Sequence, residues 1–329
     1  MNPALLLLAP LVSPSFSTTM VPHDADDPAV WIDRTNPAHS LIVGTDKEEK
    51  EGGVYVWNLE GRLVQKIEKV DRPNNVDVEY GFSTPMGARD LVVATERGTQ
   101  RLRTFFMEGG QLRDVTGDTP MVTAGKAENG MPMGIGLWKR KDGVYAIVSP
   151  KSGPKDGYLQ LYRLRYNAFS GRVDSEFVRF FGAYSGKKEI ESVCVDDEAG
   201  FVYYSDEGFG TRKVRLSDYK EVGTLNRTGF KGDHEGLAIW KGRGGRGYLV
   251  CTEQLKGDSV YHVFRREGAN AKVGSFRIGA DETDGIEVVS TPLGPKFPQG
   301  LFIAMNSSGR NFKVAGWKQI ASALRIGAQ

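Results

Sequence analysis

Carboxylates recur along this chain about every 50 residues, each placed just ahead of a short apolar run. The positions read Asp24-Ala25-Asp26-Asp27, Asn74-Asn75-Val76-Asp77, Met131-Pro132-Met133, Glu189-Ile190-Glu191, Asp233-His234-Glu235 and Glu282-Thr283-Asp284. A second series closes the run that follows: Thr45-Asp46-Lys47, Thr95-Glu96-Arg97, Pro150-Lys151-Ser152, Ser205-Asp206-Glu207, Cys251-Thr252-Glu253 and Met305-Asn306. If a fold gathers such groups, like charges repel strongly at low effective dielectric unless something positive sits between them. A hard cation with oxygen ligands removes the conflict. Calcium accepts about six to eight oxygens in loose geometry and needs no regular ligand loop. Zinc fits less well, because His23, His39, His234 and His262 show no paired ligand spacing and no thiolates converge.

Lys47, Arg97 and Lys151 in the second series have two readings. They neutralise the acids, or they bind an anion that the metal also touches. Phosphate suits the second reading, since Arg97 offers a bidentate fork while Lys47 and Lys151 supply point charges. His234 is open in the same way, as a hydrogen-bonding support for Glu235, a phosphate donor or a filler. Asp27-Pro28 and Asn74-Asn75 are turn formers as readily as site residues. Equivalent position in a repeat is what gives these residues weight.

The elements that would bring them together are strands. With 41 Gly among 329 residues and many short β-branched or aromatic runs, the pattern is strands and tight turns. Runs begin near Ala29, Leu41, Val54 and Arg62, then Val76, Leu91, Leu102 and Leu112, then Gly134, Val144, Tyr158 and Arg172. They continue near Glu191, Phe201, Thr211 and Tyr219, then Gly236, Gly247, Val260 and Lys272, and end with Gly285, Leu301 and Phe312. This predicts an all-β, six-bladed β-propeller with four antiparallel strands per blade. The last group lacks a fourth strand, which the segment from Phe16 to Val21 can supply, closing the ring. Trp317, Ile320, Ala321 and Leu324 fall at helical spacing and predict a short C-terminal helix packed outside. Residues 16–329 then form one domain. Two β-sandwiches are the rival, and the lack of a Pro/Ser-rich linker near the middle counts against them. In an antiparallel blade the first strand starts where the second ends, so both series open onto one face of the ring.

The 43 Lys+Arg balance 41 Asp+Glu to a formal charge of +2, leaving no global field for nucleic acid or an anionic membrane. The expected partner is a small molecule and the expected state a monomer. Cys194 and Cys251 lie in apolar runs and are expected to be free core thiols. Residues 1–15, with Leu5-Leu6-Leu7-Leu8, read as the remnant of an export signal and suggest a secreted or periplasmic protein. They lack a basic start and a small-x-small cleavage site, so a start at Met20 is the alternative.

Several segments together resemble the β-propeller phytases, the alkaline, calcium-dependent 3-phytases. They are Asp24-Ala25-Asp26-Asp27-Pro28-Ala29-Val30-Trp31, Asn74-Asn75-Val76-Asp77, Glu191 with Val195-Asp196-Asp197-Glu198-Ala199-Gly200, Asp206-Glu207, Glu235-Gly236-Leu237, Thr283-Asp284-Gly285-Ile286, Gly294-Pro295 with Pro298 and Gly300, and Asn311-Phe312-Lys313. The resemblance implies several calcium ions at the mouth of the central channel, which help bind myo-inositol hexakisphosphate and activate the water that hydrolyses a phosphomonoester. It places Asp26, Asp27, Asp77, Glu191, Glu207, Glu235 and Asp284 on metal-ligand or neighbouring acidic positions, and Lys47, Arg97 and Lys151 on phosphate contacts. Departures from the family pattern are Met133 for a Tyr, Ser152 for a Glu, Glu48 for the second Lys of a pair, and a shorter acidic loop with only Asp281 and Glu282 before Asp284.

The expected mechanism is metal-assisted hydrolysis in which calcium ions bridged by Glu191, Glu207, Glu235 and Asp284 activate a bound water, while Arg97, Lys47 and Lys151 stabilise the charge on the transferring phosphoryl group. No covalent nucleophile is needed. Neither cysteine has the Arg six residues on that a thiol phosphatase requires, since Gly200 and Gly257 stand there, and no Arg-His-Gly motif occurs. Two rival readings are a lactonase-type propeller, which leaves Lys47, Arg97 and Lys151 without a task, and a non-catalytic propeller that holds calcium structurally.

Overall fold

Short runs of β-branched and aromatic residues, cut by turn glycines, become strands throughout the computed structural model, which describes residues 9–327. They assemble into six four-stranded antiparallel sheets. The first contains Ala25–Trp31, Leu41–Asp46, Gly53–Asn58 and Leu63–Glu68, and the second Pro73–Thr84, Gly87–Glu96, Arg101–Glu108 and Gln111–Asp114. The third contains Pro132–Arg140, Gly143–Pro150, Asp156–Asn167 and Arg172–Ala183, and the fourth Val193–Asp196, Phe201–Asp206, Gly210–Arg215 and Lys220–Leu225. The fifth contains Asp233–Lys241, Gly247–Gln254, Val260–Arg265 and Lys272–Phe276. The sixth has Ile286–Val289, Leu301–Asn306 and Asn311–Gly316, completed on its outer edge by Phe16–Ser17. First strands of successive blades neighbour one another around the ring, and the last meets the first, so the fold is a six-bladed propeller. Two separate sandwiches are excluded.

Each blade is covered on both faces by its neighbours, and this explains the near-continuous apolar character of the inner strands. The apolar core is divided accordingly. One cluster joins Trp57 and Ile42 of the first blade to Phe312 and Ile303 of the sixth. Another joins Trp240 and Tyr248 of the fifth to Phe302 and Ala304 of the sixth. The fourth strands face solvent, as in Leu63–Glu68, where exposed residues predominate.

The ring closes as expected but with a shorter strand. Phe16 pairs with Val314 and Ser17 with Lys313, and backbone bonds extend from Ser15 to Thr18. The helix is Trp317–Leu324. Trp317 and Ile320 are fully buried, and the Trp317 ring stacks on Trp240 at 5.5 Å. Of the segment read as an export remnant, residues 1–8 lie outside the described residues. Pro10 and Val12 bond to the backbone of Arg277 in the fifth blade, and Val12 is buried. Cys194 and Cys251 are free; Cys251 is buried in the core, whereas Cys194 lines the central channel.

A repeated hydroxyl links one blade to the next. Thr45 Oγ1 donates to the Asn74 carbonyl at 2.6 Å, Thr95 Oγ1 to Met133 at 2.7 Å and Ser149 Oγ to Ile190 at 2.6 Å, and Ser205 Oγ donates to Glu235. Asn74, Met133 and Glu235 lie in the first strand of the following blade, and Ile190 stands just ahead of it. The fifth blade breaks the series, because Thr252 Oγ1 is buried without a partner. Removing a satisfied buried hydroxyl leaves its partners bare, at a cost of about 1–3 kcal/mol, whereas removing an unsatisfied one is near neutral. Thr95→Val is therefore expected to lower unfolding free energy by about 1–3 kcal/mol in urea denaturation, and Thr252→Val to leave it unchanged or raise it.

Candidate active site

Two rings of side chains at one end of the channel follow from strand register. In the first, second, third and fifth blades the first strand shifts register just after its start, between Ala25 and Pro28, Pro73 and Val76, Pro132 and Ile135, and His234 and Leu237. Such a bulge re-aims a side chain without ending the pairing. Two residues before regular pairing resumes stand Asp26, Asn74, Met133, Glu191, Glu235 and Asp284. Three residues beyond the matching partner in the second strand stand Lys47, Arg97, Lys151, Glu207, Gln254 and Ser307. The acids between, Asp46, Glu96 and Asp206, are not free for chemistry. Asp46 accepts from the Asp24 amide at 2.7 Å, Glu96 from Asp71 at 2.9 Å and Asp206 from Ser185 at 2.8 Å, pinning the loop that leads into each blade.

The residue after each first-ring position meets the neighbouring blade. A Cβ at Gly236 would lie 2.7 Å from the Asp284 carbonyl, and one at Gly285 would lie 2.1 Å from Asp27 Oδ1. This explains Glu235-Gly236 and Asp284-Gly285: an acid facing the mouth is followed by a position with no room for a side chain.

Asp26, Glu191 and Asp284 bring carboxylate oxygens within 4.8 Å of one another and form a group able to hold a metal ion. Asp26 Oδ2 is buried with no hydrogen-bond partner, as is Glu235 Oε2. Unpaired acceptor oxygens in a crowd of carboxylates are what a hard cation requires. Burial, then Asp26 and Asp284, push the Glu191 carboxyl well above the ordinary range. Burial, then Glu191 and Glu207, do the same to Glu235. Asp284 is raised to about 7, mainly by burial with Lys47 opposing it, and Glu207 to about 8 by burial and then Asp233 and Glu189. Lys47 Nζ lies 2.9 Å from Asp26 Oδ1 and also bonds Asp284 Oδ2. Burial works against this ammonium, but Asp26 and Asp284 hold it charged.

Beside the acids lies a cleft of about 420 Å³ lined by Lys47, Arg72, Arg97 and Lys151 together with Asp24, Glu48, Glu49, Glu189 and Glu191. Lys151 pairs with Glu189 at 2.7 Å, and Arg72 pairs with Glu49. Arg97 differs. Only 5 % exposed, it donates to the neutral Asn74 Oδ1 at 3.0 Å, and its Nε has no partner. Burial and then the Arg72 guanidinium disfavour its charge. A buried guanidinium beside a second one, with a neutral amide as its hydrogen-bond partner, is a receptor for an oxyanion.

The sequence model of the family described as Phytase matches residues 12–328. The chain belongs to the phytase family. It is also 29% identical over 326 residues to a 3-phytase of Bacillus subtilis (strain 168), covering 91% of this chain and 81% of that protein. Phytate hydrolysis is therefore its activity, and the expected small-molecule substrate is an inositol polyphosphate.

Not every expected site residue of this phytase reaches the mouth. Asp26, Glu191 and Asp284 meet, with Glu207 and Glu235 beside them and Lys47, Arg97 and Lys151 on the cleft side. Asp27 lies one step down the channel, where its Oδ2 accepts from the Val76 amide at 2.9 Å and ties two blades together. Asp77 is also in the channel, accepting from Leu137 and Val78 amides, both at 2.7 Å. Neither joins the metal-capable group. His234 is turned away because it precedes the mouth position and alternation sends it into the blade: its Nε2 meets the Asn226 carbonyl at 2.8 Å and its ring stacks on Phe230 at 4.4 Å. Its Nδ1 is buried without a partner, and the ring does not line the cleft that holds Arg97 and Lys151.

Arg72, Glu189 and Gln254 belong to the site but were not expected to carry it, whereas Asn74, open between turn and site in the sequence, meets Arg97. Gln254 donates to Asp284 Oδ1 and occupies the same register position as Lys47 and Arg97, a signal present in the repeat. Arg72 precedes its strand and had no such signal. Met133 is fully buried and adds no polar atom to the ring.

Raised carboxyl values fix the pH response of the protein freed of divalent ions. A group that binds its proton more tightly when folded contributes stability that is complete below its unfolded value, near 4, and lost as pH rises through the folded one. With Asp284 at about 7 and Glu207 at about 8, the melting temperature in chelator should fall from pH 5 to pH 9. A rise across that window would mean that the acids are not crowded.

Proposed function

We propose that this phytase uses calcium at the mouth of its channel to remove phosphate from myo-inositol hexakisphosphate. The observation that carries the reading is the juxtaposition of a carboxylate group with unpaired buried oxygens and a buried guanidinium that lacks a carboxylate partner. The donor set is oxygen throughout, and the spacing of Asp26, Glu191 and Asp284 suits contacts of about 2.3–2.6 Å to one ion. Glu207 and Glu235 would complete its surroundings. When bound, calcium supplies positive charge against phosphate oxygens and acidifies a coordinated water.

The chain's own groups position the ester. Arg97 takes two oxygens of one phosphate through its fork, and Lys151 adds a point charge from the neighbouring blade. Attack of water on phosphorus forms one P–O bond as the bond to the inositol oxygen breaks, and the departing oxygen takes up a proton. Charge spreads over the three equatorial oxygens, where Arg97 and Lys151 stabilise it without reorganising. Arg72 and Lys47 extend the basic side of the cleft toward further phosphates of the same substrate. A lactonase-type reaction on an uncharged ester gives this basic side no task.

Phosphate release from inositol hexakisphosphate should require calcium and stop on chelation; equal rates in both conditions would defeat the calcium role. Arg97→Met should lower kcat/KM by about 10²–10³-fold while the melting temperature holds.

A further inference from the structure

Lys47 borders two sites that want opposite charges. Its ammonium bonds Asp26 Oδ1 at 2.9 Å and Asp284 Oδ2, with Asp24 Oδ2 at 4.0 Å. The same side chain lines the cleft that holds Arg97 and Lys151. An ion held by Asp26, Glu191 and Asp284 must come within about 2.3–2.6 Å of their oxygens, and two of those three carboxylates are the ones the ammonium already draws together. Two cations on the same oxygens repel strongly in so buried a place. The backbone of Lys47 is tied down, its amide donating to the Asp24 carbonyl at 2.8 Å. Its four-carbon stem is not, and a lysine head group can swing while its Cα stays fixed.

We propose that Lys47 is the built-in counter-ion of the metal group: its ammonium neutralises Asp26 and Asp284 until a divalent ion binds, and is then released into the cleft to hold phosphate. This rests on the reading of the acidic group as a calcium site. The consequence is coupling. Calcium recruits a phosphate contact, and by reciprocity a phosphate that engages Lys47 strengthens calcium binding. The arrangement also explains how so many carboxylates fold together before the metal arrives.

Calorimetric titration of the full chain with calcium chloride, wild type against Lys47→Met, tests the competition. The variant should bind calcium about tenfold more tightly, because the competing charge is gone while stem length is kept. If the wild type binds no calcium, the calcium reading itself fails. If the wild type binds and Lys47→Met binds equally or more weakly, the counter-ion proposal alone is overturned. Since the variant leaves the acids unneutralised and is prone to unfold in chelator, a second measurement uses the wild type. Acetic anhydride labelling, mapped by mass spectrometry, should modify Lys47 severalfold faster with calcium than with chelator, relative to the exposed Lys66. An unchanged or slower rate with calcium overturns the proposal.

Discussion

Carboxylates from separate blades are forced toward one axis, and the rest of the site answers that constraint. Asp26, Glu191 and Asp284 are brought within metal-binding distance from segments more than ninety residues apart in sequence, and nothing local relieves their repulsion. Protons, the Lys47 ammonium and a divalent ion are three ways of relieving it. They compete for the same oxygens, so metal affinity, pH response and the position of Lys47 are one problem seen from different sides.

The blades supply rigidity for this crowding. Apolar clusters fill the seams between adjacent sheets, and hydroxyl-to-carbonyl links from second strands reach the start of the next blade, where Ser205 holds the Glu235 backbone and Ser149 that of Ile190 beside Glu191. Glycines at 236 and 285 let the neighbouring backbone approach where a side chain would collide. Charge is then sorted around the ring. The second-strand series runs Lys47, Arg97 and Lys151 through the first three blades, then Glu207, Gln254 and Ser307. The cleft that holds Lys47, Arg72, Arg97 and Lys151, interspersed with acids, therefore flanks the group of Asp26, Glu191 and Asp284.

The repeat was legible because strands, turns and acids recur together, and position within it identified Glu191, Glu207, Glu235, Arg97 and Lys151. Asp27, Asp77 and His234 entered the expected site with the motifs that also hold Asp26, Asn74 and Glu235. One residue of offset along a strand turns a side chain to the other face, and the bulges here make that offset invisible to simple counting. Arg72 escaped for a different reason: it lies in a loop before a strand, outside any periodic position.

By itself the sequence determined the number of blades, the chemistry of the converging groups and the family to which the chain belongs, since each depends on residue types repeated in order. Only the tertiary structure decided which acid of each pair faces the metal group, that Lys47 bonds the acids directly, and that Arg97 is buried without a carboxylate partner. Those facts depend on the direction of a side chain and the approach of distant strands, which ring closure sets and linear spacing does not encode.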